Sequence, residues 1–294
     1  MKILVTGREG QIARSLLERA AIVPDYEIAA LGRPQFDLER PETLHGPIRT
    51  IGPDVIINAA AFTAVDLAED EPERARIVNA EAAGAVAKAA RECGACIIQI
   101  STDYVFDGNS EGAYSEDAPT NPLGAYGRTK CEGEERVRAE TSDHLIVRTA
   151  WVHSPFGRNF VRTMMDLAQD RDTVSVVADQ HGNPTSALDL AEGLIGVLEA
   201  WRSGETGLGR TYHLAGTGVT SWCGFAEAIF DECRAAGLPA ARVEPIATDD
   251  WPTRAPRPRN SALDCSRFLA DFGFQMPDWR VSVRKVVARL AADR

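Results

Sequence analysis

Ser101-Thr102-Asp103-Tyr104-Val105-Phe106 and the later run Tyr126-Gly127-Arg128-Thr129-Lys130 hold the side chains of this 294-residue chain best suited to chemistry on a carbonyl. The first run continues the apolar stretch Ala95-Cys96-Ile97-Ile98-Gln99-Ile100, a pattern that predicts a buried parallel strand ending in small hydroxyls. Ligands of open α/β sheets sit outside such carboxyl ends. The second run sets a phenol and an ammonium at i and i+4, on one face of a helix. A hydroxyl, a phenol and a lysine meeting at a strand edge can protonate a carbonyl oxygen. The rest of the chain must then bring a hydride donor and a substrate to that point.

The N-terminus has the pattern for the donor. Lys2 to Thr6 reads as a short strand, Gly7-Arg8-Glu9-Gly10-Gln11-Ile12-Ala13 as a turn, and Ala13 to Ala20 as a helix. Strand, glycine turn and helix form the setting of a dinucleotide-binding turn. Gly7 permits the tight turn, Gly10 lets backbone approach a pyrophosphate, and the helix start offers N–H groups to it. The spacing is GxxGxxA, and the glycines by themselves also fit a plain strand–helix turn. A second strand, Glu27 to Leu31, ends in Gly32-Arg33. Arg33 suits a 2′-phosphate and so favours NADPH, with NADH the alternative; a solvated loop arginine is the plain reading. Asp37 and Leu38 stand where adenine could be contacted. The strand Asp54 to Asn58 runs into Ala59, Ala60 and Ala61, which leave room for a flat ligand or simply pack the core. Phe62 to Asp66 reads as a loop on the ligand edge. A helix is expected from about Glu73 to Cys93, begun at Pro72 and ended by Gly94. Asn79 lies inside it, where asparagine is a poor helix former.

After a helix from Tyr126 to about Glu140 and a strand from His144 to Thr149, the strict alternation loosens beyond Ala150-Trp151-Val152. Helices are expected at Phe160 to Ala168, from a capping Ser186 to Ala200, at Trp222 to Ala236, at Ser266 to Phe272 and at Val281 to Ala292. Strands are expected at Val174 to Val177 and Thr211 to Ala215. Arg254-Ala255-Pro256-Arg257-Pro258-Arg259 can only be a loop, suited to a diphosphate or to solubility. Trp201, Trp222, Trp251 and Trp279 read as core or interface anchors. The fold class is therefore α/β, a Rossmann-type doubly wound parallel sheet over residues 1–150. About 175–216 return to it, and 151–294 mainly build a smaller C-terminal substrate domain.

A net charge of −11 without a basic block argues against nucleic acid. No run of about 18 apolar residues could span a membrane. The apolar start Met1 to Val5 is too short for a secretory leader, so the cytoplasm is expected. Cys93-Gly94-Ala95-Cys96 ends a helix and enters a strand, the reverse of a redox CxxC, and no second pair completes a zinc site. All six cysteines are read as reduced and structural.

Four motifs together, Thr6 to Ile12, Asn58 to Ala61, Ser101 to Gly108 and Tyr126 to Lys130, resemble the extended short-chain dehydrogenase/reductases. Thr63 to Glu69, Arg148 to Val152, Asp179 to Thr185 and Arg257 to Ser261 are similar to the dTDP-4-dehydrorhamnose reductase family within that group. The resemblance implies that Gly7, Gly10, Gln11 and Ile12 hold a pyrophosphate, and that Ala59, Ala60, Ala61 and Thr63 line the cofactor. It makes Tyr126 the proton donor and Lys130 its partner and a cofactor ribose ligand, with Lys130 drawing the phenol toward working pH. Thr102 would bond the reacting carbonyl, and Val65, Asp103, Tyr104 and Trp151 would border a nucleotide sugar. Asn79 matches the asparagine expected to hold a structural water. No metal is expected, because Arg14 stands where an acid would help bind one. The state is a monomer or homodimer. Three other readings belong to related proteins: a reductase of another nucleotide 4-keto-6-deoxy sugar, an epimerase or 4,6-dehydratase, and a non-catalytic regulatory subunit of methionine adenosyltransferase type. No Asp-Glu pair follows Thr102 as a dehydratase would need.

Overall fold

Strand and helix alternate through the first half of the chain. The computed structural model describes residues 1–21, 26–204 and 207–293. It begins with β1 (Lys2–Thr6), α1 (Gln11–Ala20), β2 (Glu27–Leu31), α2 (His45–Ile51), β3 (Val55–Asn58), α3 (Val65–Asp70) and α4 (Pro72–Arg76). A π-helical turn, Ile77–Glu81, joins α4 to α5 (Ala82–Cys93). Next come β4 (Cys96–Thr102), α6 (Ala125–Glu140), β5 (His144–Thr149), β6 (Val152–His153), α7 (Phe160–Leu167), β7 (Thr173–Val177), β8 (His181–Gly182) and β9 (Thr185–Ser186). The chain closes with α8 (Ala187–Arg202), β10 (Arg210–His213), β11 (Thr220–Ser221), α9 (Trp222–Ala235), β12 (Arg242–Ile246), α10 (Ser266–Phe272) and α11 (Trp279–Ala292).

Six strands form one parallel sheet in the order β10-β5-β4-β3-β1-β2. The direction of winding reverses between β1 and β3, which opens a crevice at the carboxyl ends. Side chains alternate between the faces. Ile3, Val5, Ile57, Ile98 and Ile100 pack with α1 and α8, whereas Leu4, Ile56 and Ile97 pack with α2, α5 and Val137 of α6. Burial on both faces is why these strands are apolar almost throughout. The sheet is the doubly wound α/β architecture that the alternation predicts.

A second core joins α7, β7, α9, β12 and α11 around Val161, Met165, Phe230, Trp279 and Val283. β12 pairs in parallel with β7. Its mostly exposed side chains and its Pro245 leave no apolar signal, so the sequence does not announce it. α8, Tyr212 of β10, Phe268 of α10 and Met276 pack on the first core. Ser186 does precede α8, but its side chain makes no capping bond. The side-chain caps lie elsewhere: Asn159, Ser221 and Asp278 accept from backbone N–H groups of α7, α9 and α11.

The helix expected over 73–93 is interrupted at Asn79. Its buried amide accepts from the Phe62 N–H at 2.8 Å and donates to the Phe62 carbonyl and the Thr129 hydroxyl, each at 3.1 Å. The π turn widens the helix there, a distortion often found beside functional sites. The Asn79 carbonyl points at Gly133 of α6, where any Cβ would collide with it. Gly133→Ala should therefore cost about 1–3 kcal/mol through overpacking. Chemical denaturation would show it as a lower midpoint with an unchanged slope.

Candidate active site

Helix α6 starts where it does because Glu69 accepts from the Ala125 N–H at 2.6 Å and lies within 3.8 Å of Arg128. A carboxylate at a helix N-terminus also meets the positive end of the dipole. Gly127 lets this helix close on the turn Asp103–Val105 that follows β4, since a Cβ there would strike the Tyr104 carbonyl. The approach brings together Thr102, Tyr126 and Lys130, the three residues that sequence spacing singled out. Lys130 is buried, and its Nζ donates to the Ile100 carbonyl at 2.6 Å. The Thr102 hydroxyl donates to Asp103 Oδ1 at 2.9 Å and accepts from the Tyr104 N–H at 3.2 Å, and it stands beside the Tyr126 phenol. The ring of Tyr104 meets that of Tyr126 edge-on, with centroids 5.7 Å apart.

Burial governs the ionisation of these groups. It pushes the Tyr126 phenol well above its ordinary value, against the Thr102 hydrogen bond. It pulls Lys130 down to about 8, against the nearby Glu134 charge. It pushes Asp103 up to about 6, and Asp103 Oδ2 has no partner among the described residues. In the protein without cofactor, desolvation dominates the phenol, and Lys130 is not among the groups that shift it. The phenol stays protonated, which is the form a proton donor needs.

The glycine turn closes over β1. Gly7 takes φ +83°, and a Cβ there would sit 3.1 Å from Ala60. A Cβ on Gly10 would lie 3.1 Å from the Gly7 carbonyl. No side chain caps α1, and its first residues, Gln11 and Ile12, line the crevice together with Gly10. Ala13, in the third motif position, is buried against the sheet. Bare backbone at a helix start is the donor set a dinucleotide pyrophosphate requires. Arg33 is exposed just beyond β2, and Gly32 brings that turn against Arg8.

One cleft of about 1050 Å³ collects the expected residues. Gly7, Gly10, Gln11, Ile12, Arg33, Asp37, Leu38, Ala59, Ala60, Ala61 and Thr63 line its end at the glycine turn. Thr102, Tyr126 and Lys130 lie on its wall with Val65, Asp103, Tyr104 and Trp151. Val65 opens the short helix α3, so the ligand-edge segment read as a loop is helical from that residue on.

Several lining residues escaped the sequence reading. Arg8, Arg158, Asn159 and Trp222 face the same cleft. Trp222 stacks on Trp151 with ring centroids 3.6 Å apart and planes 6° apart. Trp222 is thus part of the cleft wall and not only a core anchor. Trp251 is 58% exposed, while Trp279 is fully buried. Trp151 has φ +46°, unlike any other described residue except glycines, a strained conformation that Gly182 accommodates: a Cβ there would meet the indole at 2.7 Å. The arginine-rich loop is partly committed to α3. Arg254 pairs with Asp70, and Arg257 donates to Asp66 at 2.7 Å and to the Tyr104 hydroxyl at 3.4 Å. Of that loop's arginines, Arg257 reaches the cleft. The six cysteines form no disulfide, and Cys93 and Cys96 close α5 and open β4.

A doubly wound parallel sheet, a glycine turn above β1 and a threonine, tyrosine and lysine at the meeting of β4 and α6 define an extended short-chain dehydrogenase/reductase. Within that class the family model of the RmlD substrate binding domain matches residues 1–292, and the chain belongs to that family. It is 42% identical over 288 residues to a dTDP-4-dehydrorhamnose reductase of Sinorhizobium fredii, covering 98% of this chain and 97% of the relative. A dTDP-4-dehydrorhamnose reductase of Clostridium acetobutylicum superposes with a TM-score of 0.90 at 36% identity over 99% of each chain. The Bacillus anthracis dTDP-4-dehydrorhamnose reductase, solved in complex with NADP, also gives 0.90, at 33% identity over 98% of this chain and 99% of that one. No described helix is long and apolar enough to cross a membrane.

The lysine sets a pH limb. Its ammonium form predominates below about 8 and is lost above it. kcat/KM for reduction should fall as pH rises through that value. A profile flat to about pH 10, the ordinary lysine range, would mean that burial does not control Lys130.

Proposed function

We propose that this protein reduces the C4 ketone of dTDP-4-dehydro-L-rhamnose to dTDP-L-rhamnose with NADPH. The observation that carries the reading is the assembled Thr102–Tyr126–Lys130 set in a cleft whose lining includes every residue the family motif assigns to cofactor and sugar. Full-length likeness to dTDP-4-dehydrorhamnose reductases supports the choice of sugar.

Bound NADPH supplies the hydride. Gly7, Gly10, Gln11 and Ile12 would hold its pyrophosphate, Arg33 with Arg8 its 2′-phosphate, and Ala59, Ala60, Ala61 and Thr63 its adenosine side. Lys130 would hold the nicotinamide ribose. Tyr126 then gives its phenolic proton to the ketone oxygen, which stays on C4 as the new hydroxyl, and Thr102 bonds the same oxygen as charge develops on it. Val65, Tyr104 and Trp151 border the sugar, and the unpaired Asp103 Oδ2 accepts from one of its hydroxyls. In this reading residues 1–150 with the returning α8 and β10 bind cofactor, and most of the remainder binds the nucleotide sugar. The protein would act in the cytoplasm, as a monomer or homodimer, supplying rhamnose for cell-surface polysaccharide.

The test follows NADPH absorbance with the 4-keto sugar generated in situ. Wild-type protein should consume NADPH. Tyr126→Phe should lose about 10²–10⁴-fold in kcat while NADPH affinity, measured by fluorescence, stays as in wild type. Turnover at the wild-type rate in Tyr126→Phe would remove the phenol from the mechanism. Arg33→Ala should weaken NADPH about tenfold or more, as loss of a charged hydrogen bond does, and leave NADH binding unchanged. Equal loss for both cofactors would place the 2′-phosphate elsewhere.

A further inference from the structure

Behind Lys130, away from the cleft lining, α6 carries a second ionised group. Glu134 is fully buried. Its Oε1 accepts from Ser101 Oγ at 2.6 Å and from Arg148 Nε at 2.9 Å. Its Oε2 accepts from Arg148 Nη2 at 2.8 Å and from Arg138 Nη2 at 2.9 Å. Arg148 stands opposite Ser101 in the β4–β5 register and is itself buried. A buried ion pair is a weak device for stability, because apolar residues of similar volume often do as well. Its placement suggests another use.

Tyr126, Lys130 and Glu134 follow one another at i, i+4 and i+8 on the face of α6 turned to β4. Each meets one of three consecutive strand residues. Tyr126 meets Thr102, Lys130 meets the Ile100 carbonyl, and Glu134 meets Ser101. We propose that Glu134 is a positioning residue for the reduction: it keeps Lys130 an ammonium on the Ile100 carbonyl and locks the end of β4 to α6, so that Thr102 and Tyr126 address one oxygen. It acts through Lys130 and Ser101 and touches neither cofactor nor sugar.

The electrostatics agree with the geometry. Burial alone would raise the Glu134 carboxyl, but the bonds and charge of Arg148, with Ser101 and Arg138, outweigh it and hold the group below its ordinary value. The charged and titratable groups about Lys130 and Glu134 are Tyr126, Cys131 and Arg138 on α6, Asp103 beyond β4, Arg148 on β5 and His213 on β10; burial raises the Cys131 thiol, which keeps it neutral. Burial holds His213 down to about 3, so it is neutral at working pH. Of these groups Glu134 opposes the burial of Lys130.

The proposal rests on the reductase reading, but its first test needs neither cofactor nor sugar. The chain has four lysines, Lys2, Lys88, Lys130 and Lys285, so the Lys130 resonance can be assigned and titrated in protein labelled with 13C-lysine. Glu134→Gln should lower the Lys130 midpoint by about one pH unit. Arg138→Gln, at a side chain 38% exposed, should raise it, because it leaves Glu134 less neutralised. The opposite signs are what a merely structural role would not produce. Should Glu134→Gln fail to fold, the Arg138 variant still decides. A Lys130 midpoint unchanged from wild type would overturn the electrostatic half. Ser101→Ala keeps every charge and cuts the tie to β4. It should lower kcat roughly tenfold with NADPH affinity and the Lys130 midpoint unchanged, and wild-type kcat would overturn the positioning half.

Discussion

The bond from the Lys130 ammonium to the Ile100 carbonyl is the constraint around which this structure is arranged. An ammonium taken out of water needs partners, and the sheet supplies them through a buried polar ladder. Thr6 donates to Asn58, Asn58 to Gln99, and Gln99 to the same Ile100 carbonyl that Lys130 uses. The Ala60 N–H closes the ladder on Thr6 beside the glycine turn. The glycine-turn end of the cleft and the end at Tyr126 and Lys130 are thus joined by hydrogen bonds running across β1, β3 and β4. A partly satisfied ladder of this kind would be costly, and a satisfied one is rigid.

The surrounding elements serve the same contact. Glu69 fixes where α6 begins, and Gly127 and Gly133 let it lie against the Tyr104 and Asn79 carbonyls. Asn79 in turn ties α6 to the Phe62 backbone at the cleft edge. The second core sends Trp222 across to stack on Trp151, and the loop around Arg257 is anchored to α3 through Asp66. Each acts on one wall of a single cleft.

Much of this was legible in the sequence, for physical reasons that also explain what was not. Strands β1, β3, β4 and β5 are buried on both faces, so each appears as an apolar run. The turn at Gly7 and Gly10 and the pair Tyr126–Lys130 are legible because local spacing alone sets their geometry. β12 was invisible because it is largely exposed and contains a proline. The π turn at Asn79 depends on Gly133, a residue of another helix, and no local pattern encodes that collision. Trp222 and the fates of Arg254 and Arg257 were likewise decided by partners distant in sequence: Trp151, Asp70 and Asp66. Spacing singled out Thr102, Tyr126 and Lys130, which the fold brings into one cleft; tertiary contact chose which cations and rings stand beside them.

The most direct test of the account is the path of the hydride. The protein would be given NADPH carrying deuterium at nicotinamide C4, on the transferring face, with dTDP-4-dehydro-L-rhamnose, and the product examined by NMR. The account predicts dTDP-L-rhamnose with one deuterium, at sugar C4. NADPH that stays unoxidised, or a product with deuterium at another carbon or none, would contradict it.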